Sequence, residues 1–211
     1  MGRRLHREIS RSYGGECVTG YESHYAILAA AVAATGGPIL ELGCGESSTP
    51  MLHYMAIAQA REILSVDTDP KWLDKYAGYK CDRHRFEIVT PKPDENLSLQ
   101  LRMEKAWREW RGLEHISGSH RGWGTWGVAF VDCAPGEVRH ELMIRLAERA
   151  TIVVAHDSET DYEAGGNYQY AKAVPHFRFV SEWRRWRPYT LVCSNYVATF
   201  IEECDRAWRP K

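Results

Sequence analysis

Short runs of consecutive apolar residues recur along this chain, separated by segments whose apolar positions fall at helical spacing. Residues 38–43 (PILELG) predict a buried strand, bounded by Gly-Pro before and Gly after. Residues 49–60 predict a helix, capped by Ser48 or Thr49 with Pro50 in its first turn. Residues 63–67 (ILSVD) predict a second strand, and Asp69-Pro70 then opens another helix. Residues 86–89 predict a third, weaker strand. Residues 97–110 carry Leu97, Leu101, Ala106 and Trp110 at helical spacing. Residues 128–132 (VAFVD) predict a fourth strand, 137–150 an amphipathic helix, and 151–157 (TIVVAHD) a fifth strand. Two more strand-like runs follow, FRFVSEW and YTLVCSNYVATF.

Fully apolar strands that alternate with helices imply a mostly parallel sheet with helices on both faces. The last two runs are joined by a short link around Arg187-Pro188, which suits an antiparallel hairpin at one edge. The expected fold is therefore a three-layer α/β/α sandwich around a doubly wound sheet. Its 211 residues fit one domain, with 91–126 as a substrate-side insertion.

The bulk numbers narrow the partners. A formal charge of −1 gives no global attraction for nucleic acid or an anionic membrane. The basic start MGRRLHREISRSYGG has no apolar run behind it, so it does not read as a signal peptide, and a cytoplasmic protein is expected. The apolar stretch at 25–35 is too short to span a bilayer. The six cysteines are scattered and predict reduced thiols. Cys81 and His84 stand at metal-ligand spacing, but no second pair completes a zinc set.

One corner is unlike the rest. In GGPILELGCGESSTP, residues 36–50, a strand meets two glycines, two acids and three hydroxyls. In a doubly wound sheet, ligands sit beyond the carboxyl ends of the strands at the switch point. The turn after the first strand lets the backbone approach a cofactor. Gly43 and Gly45 supply that turn. Asp67, at the end of the second strand, stands where an acid would bind ribose hydroxyls. The phosphate-cradling G-x-G-x-x-G needs glycine where Ser48 stands, which argues against a pyrophosphate cofactor. By charge, Glu41 suits a cofactor bearing an ammonium group.

ELGCGESST together with SVDTDP resembles the class I S-adenosylmethionine-dependent methyltransferases. The resemblance runs from about residue 21 to 159. It implies a seven-stranded sheet whose last strand is antiparallel. It makes Glu41, Gly43, Cys44, Gly45, Ser47, Ser48, Asp67 and Thr68 cofactor-binding candidates. Tyr21 and Glu22, in a segment that often folds over the cofactor in similar enzymes, join them, as does Asp132.

The chemistry is expected at the ends of the fourth and fifth strands, where Asp132, His156 and Asp157 lie. Asp132 and Asp157 resemble the acid pair of the metal-dependent, catechol-type branch. That likeness implies a divalent ion such as Mg²⁺ and an oxygen acceptor. Both acids also stand where Asp caps a following helix. His156 is a candidate general base, with a strand-end histidine bonded to backbone as the alternative. Trp107, Trp110, Trp123, Trp126, Trp183 and Trp186, with Arg184, Arg185 and Arg187, suggest walls for an aromatic, sugar-like or anionic small molecule. The expected activity is methyl transfer from S-adenosylmethionine to a small-molecule acceptor. The alternatives are a nucleic-acid methyltransferase, a nicotinamide-dependent oxidoreductase, and a catalytically silent protein that only binds the cofactor. Against the first of these stands DCAP, where amino-methylating DNA enzymes carry an Asp/Asn-Pro-Pro-aromatic run.

Overall fold

The computed structural model describes residues 22–113, 126–159, 168–184 and 187–208. Its elements in chain order are α1 (Tyr25–Ala34), β1 (Ile39–Leu42), α2 (Ser48–Ala58), β2 (Ile63–Asp67), α3 (Pro70–Lys75), β3 (His84–Ile88), α4 (Leu99–Glu109), β4 (Trp126–Val131), α5 (Arg139–Leu146), β5 (Ala150–His156), α6 (Tyr170–Ala173), β6 (Phe179–Trp183), β7 (Thr190–Ser194) and α7 (Ala198–Trp208). One seven-stranded sheet has the order β3-β2-β1-β4-β5-β7-β6. The first five strands pair in parallel, and β7 joins β5 and β6 antiparallel. This is the doubly wound sheet with an antiparallel terminal hairpin that the hydrophobic pattern predicts.

The two-residue period of the strands sorts the core into two faces. On β4, Val128 and Phe130 pack with Leu28 and Val32 of α1, Leu52 of α2 and Ile201 of α7. Ala129 and Val131 point the other way, to Trp107 of α4 and Leu142, Met143 and Leu146 of α5. The chain winds outward from β1 to β3 and crosses back through α4 to β4, so the switch point lies between β1 and β4. Their ends are tied there, with Asp132 N–H donating to Leu42 O at 2.8 Å. No helix among the described residues is long and apolar enough to cross a membrane.

Several boundaries differ from the sequence reading. Helix α2 begins at Ser48 with Ser47 as its cap position, and no side chain caps it. The Thr49 hydroxyl is engaged elsewhere, as described below. The helix read at 137–150 is a short 3₁₀ turn, Gly136–Val138, followed by the eight residues of α5. The run YTLVCSNYVATF is strand only through Ser194. The Ser194 hydroxyl accepts the N–H groups of Tyr196 and Val197, which turns the chain into α7. A local side-chain bond here overrides the β-propensity of an aromatic, β-branched stretch.

Candidate functional site

The cofactor corner is built around Gly43. Its φ is +95°, and a Cβ there would lie 2.5 Å from Asp132 O. Conformation and backbone crowding both require glycine. Past it, Cys44 N–H donates to Asp67 Oδ2 at 2.8 Å, and Asp69 N–H donates to Asp67 Oδ1 at 2.9 Å. The Asp67 carboxylate is thereby aimed, with lone pairs left for a ligand. Burial raises its pKa, although three backbone N–H groups work against that.

Glu41 lies behind this turn and does not line the cleft. It is fully buried. It accepts hydrogen bonds from Thr49 Oγ1 at 2.9 and 3.0 Å, and from Ser65 Oγ at 2.5 Å. Gly45 N–H in turn donates to Thr49 Oγ1 at 3.0 Å. The ammonium contact expected of Glu41 is therefore replaced by a role in holding the glycine turn. Burial pushes its carboxyl up to about 7, against the bonds from Ser48, Ser65 and Thr49.

A cleft of about 820 Å³ opens over the corner. Of the sequence candidates, Glu22, Gly43, Cys44, Gly45, Ser47, Ser48, Asp67, Thr68, Asp132 and His156 line it. Tyr21 lies outside the described residues. Asp157 does not line the cleft.

Behind the floor, one buried cation organises the acids. Arg139 Nη2 is 2.9 Å from Asp132 Oδ1, and its Nη1 is 3.0 Å from Asp157 Oδ2. Its Nε donates to Cys133 O at 2.8 Å, and the guanidinium stacks 4.3 Å from the Tyr168 ring. His156 completes the cluster. Its Nδ1 is 3.4 Å from both Asp132 Oδ2 and Asp157 Oδ1, and its Nε2 is 3.0 Å from Ser23 Oγ. Ser23 donates its own proton to Pro188 O, so it accepts from His156. Burial works against charge on His156, but the bond and charges of Asp132 and Asp157 outweigh it and raise its pKa. Burial would raise the Asp132 pKa, yet Arg139 and His156 hold it below the usual carboxylate range.

Asp132, His156 and Asp157 each offer a ligand atom within 4.8 Å of the others. A guanidinium already pairs with both carboxylates, so a Mg²⁺ ion would have to displace or repel it. The residues present do not fit a resident divalent ion. A fixed organic cation stands in that place.

His24 is the least satisfied group of the site. It is 2% exposed, and neither ring nitrogen has a hydrogen-bond partner among the described residues. A buried polar group left unmade costs about 1–3 kcal/mol. The ring stands edge-on to His156, 4.5 Å between centroids, and lines the cleft. Burial, and then the charge of His156, lower its pKa to about 3, so it is a neutral imidazole.

Among the described residues, the tryptophans expected as walls are not at this site. Trp107, Trp110, Trp126 and Trp183 are 0%, 8%, 3% and 8% exposed and belong to the core. Trp107 donates to Ala134 O and Trp110 to Glu87. Arg184 pairs with Glu182, and Arg187 lies over Tyr189. Trp123, Arg185 and Trp186 lie outside the described residues. Besides the two histidines, the aromatics that line the cleft are Tyr25 and Trp72.

The sequence reading did not single out His24, Ser23 or Arg139 as site residues, although two of them left a signal. Arg139 falls on the buried stripe of α5 with Leu142, Met143 and Leu146, and His24 precedes the stripe of Ile27, Leu28 and Ala31. A polar residue in register with an apolar stripe is buried, and a buried polar residue needs a partner.

These features define an open α/β protein with its ligand cleft at the switch point. Its fold is that of the class I S-adenosylmethionine-dependent methyltransferases. The solved structures it resembles include human methyltransferase-like protein 13 in complex with SAH. That pair shares 17% identity over 92% of this chain and 95% of the other, with a TM-score of 0.51. Cofactor-bound Rv0187 from MTB shares 16% identity over 93% of this chain and 89% of the other, at a TM-score of 0.51. A spermidine synthase in complex with the transition-state analogue AdoDATO shares 10% over 90% of this chain and 66% of the other, at 0.55. No family model and no curated protein matches the chain.

Proposed function

We propose that this chain transfers the methyl group of S-adenosylmethionine to a small-molecule acceptor held at the His24–Asp132 end of the cleft. The observation that carries this is the Gly43–Asp67 corner: a glycine turn pressed against Asp132, with the Asp67 carboxylate held by Cys44 and Asp69 N–H. Asp67 would take the ribose hydroxyls, and the residues around Gly43, Gly45, Ser47 and Ser48 the amino-acid end. Glu41 keeps the turn in place through Thr49. The cofactor supplies a methyl group on a positively charged sulfur.

The chain's own contribution is alignment. Methyl transfer needs the acceptor in line at near-attack distance. Asp132 and His156 form a rigid wall beside the corner, fixed from behind by Arg139 and Ser23. The reading is tested by incubating the protein with methyl-labelled S-adenosylmethionine and a small-molecule extract. Label is expected in extract compounds with the wild type and not with Asp67→Ala. Transfer of equal extent by both would overturn the corner assignment.

A further inference from the structure

We propose that the acceptor is an amine, and that His24 is the residue that binds its N–H. The inference rests on the methyl-transfer reading above and adds the chemical class of the acceptor.

Three observations converge. The first is the unsatisfied imidazole. His24 is buried, lines the cleft, and has a donor and an acceptor nitrogen with no partner among the described residues. A ligand group that both donates and accepts would satisfy it. The second is charge. Glu22, Glu46, Asp67, Asp69 and Asp132 line the cleft, and no Lys or Arg does so among the described residues. Lys75 reaches Glu46, and Arg139 lies behind Asp132. Such a lining repels carboxylates and phosphates and concentrates amines.

The third is that the strand-end groups Asp132 and His156 are already engaged, while burial leaves the His24 imidazole a weak base. Both Asp132 oxygens face a cation, Arg139 on one side and His156 on the other. Both His156 nitrogens are engaged, with Ser23 and with the two carboxylates. A hydroxyl acceptor must lose its proton as it attacks and would call on a free base. An ammonium drawn in by these acids first gives its proton to bulk water, which a pKa near that of lysine allows and that of an alcohol does not; the neutral amine then attacks with its lone pair. The nitrogen lone pair forms the bond to the methyl carbon while the carbon–sulfur bond breaks, its electron pair staying on sulfur. The proton leaves afterwards, from the methylated ammonium to water at the cleft mouth. His24 accepts an N–H bond from the amine and so turns the lone pair toward the methyl group.

The test uses two matched sets of probes: diaminobutane, butanediol and succinate; and benzylamine, benzyl alcohol and benzoate. Each is titrated by calorimetry into protein saturated with S-adenosylhomocysteine, and assayed for methylation with S-adenosylmethionine. The amine of at least one set is expected to bind about tenfold or more tighter than its alcohol and acid, the worth of one added hydrogen bond. His24→Phe is expected to remove that preference while S-adenosylhomocysteine affinity stays within about twofold, and His24→Asn to restore part of it. The His24 ring nitrogen resonances of the wild type are expected to shift on adding the amine, which reads the contact without a variant. An alcohol or acid that binds best, no preference in either set, or an amine preference intact in His24→Phe overturns the proposal. Failure of S-adenosylhomocysteine itself to bind would instead overturn the methyl-transfer reading, and this inference with it.

Discussion

Arg139 Nη2 lies 2.9 Å from Asp132 Oδ1, so the carboxylate at the cleft floor is paired with a buried guanidinium. The same side chain pairs with Asp157. The two acids that suggest an ion site in the sequence are neutralised by a residue of the chain itself.

Removing that cation should expose the difference. Arg139→Met leaves Asp132 and Asp157 with His156 alone, and breaking a buried ion pair costs about 3–5 kcal/mol. At roughly 2–4 °C per kcal/mol for a chain of this size, Tm should fall by about 10 °C. Mn²⁺ or Mg²⁺ should then raise the Tm of the variant and leave the wild type unchanged, because only the variant presents an unpaired acid pair. Thermal melts with and without the ions check this, and a wild-type Tm that rises with Mg²⁺ as much as the variant's would contradict it.

Glu41 makes the fold sensitive to pH. Its folded-state pKa is raised to about 7 from 4.5, so the folded protein holds its proton more tightly than the unfolded chain. Its contribution to stability is fully present below about pH 4.5 and is lost as pH rises through about 7. The size is about 3 kcal/mol. Glu41→Gln cannot make that transition. Urea unfolding from pH 5 to 8 should show the variant gaining on the wild type as pH increases. Parallel curves would mean that Glu41 is ionised throughout.

Gly43→Ala should be damaging although it adds one methyl group. The φ of +95° and the 2.5 Å approach to Asp132 O leave no room for it. Backbone strain of this kind costs about 1–3 kcal/mol. Because the clash is with the backbone of Asp132, cofactor affinity should fall together with stability. Gly36→Ala, where a Cβ meets nothing within 4 Å, is the control and should change neither.

Trp107 separates core from site. Trp107→Ala removes a side chain with no exposed surface and should cost about 3–5 kcal/mol. Trp107→Phe should keep most of that packing and leave S-adenosylmethionine affinity unchanged. A tenfold affinity loss in Trp107→Phe with an unchanged Tm would restore the wall reading.

Much of the fold was legible because most strands are short apolar runs, and β1, β2, β4 and β5 end at a Gly or an Asp. Asp69-Pro70 marked the start of α3 for a local reason, and Asp69 does accept from Lys71 N–H. The corner was legible because Gly43 and Asp67 hold fixed places relative to strand ends. What escaped was set by long-range packing. The Asp132–Arg139–Asp157 cluster joins two strand ends through a helix, and nothing local separates it from an ion site or from two helix caps. The tryptophans of α4 and β4 looked like a binding wall because sequence records abundance, not direction. The face of α4 that meets the sheet is decided by tertiary contacts. His24 could be placed only once α1 was seen to pack beside β4 and bring its ring to His156.

Calorimetric titration of the protein and its Asp67→Ala variant with S-adenosylmethionine, S-adenosylhomocysteine and NAD decides whether the Gly43–Asp67 corner holds the cofactor. Micromolar binding of the two sulfur compounds to the wild type, at least a tenfold loss in the variant, and no binding of NAD are expected. NAD binding without the other two, or equal binding of S-adenosylmethionine to wild type and variant, would contradict that assignment.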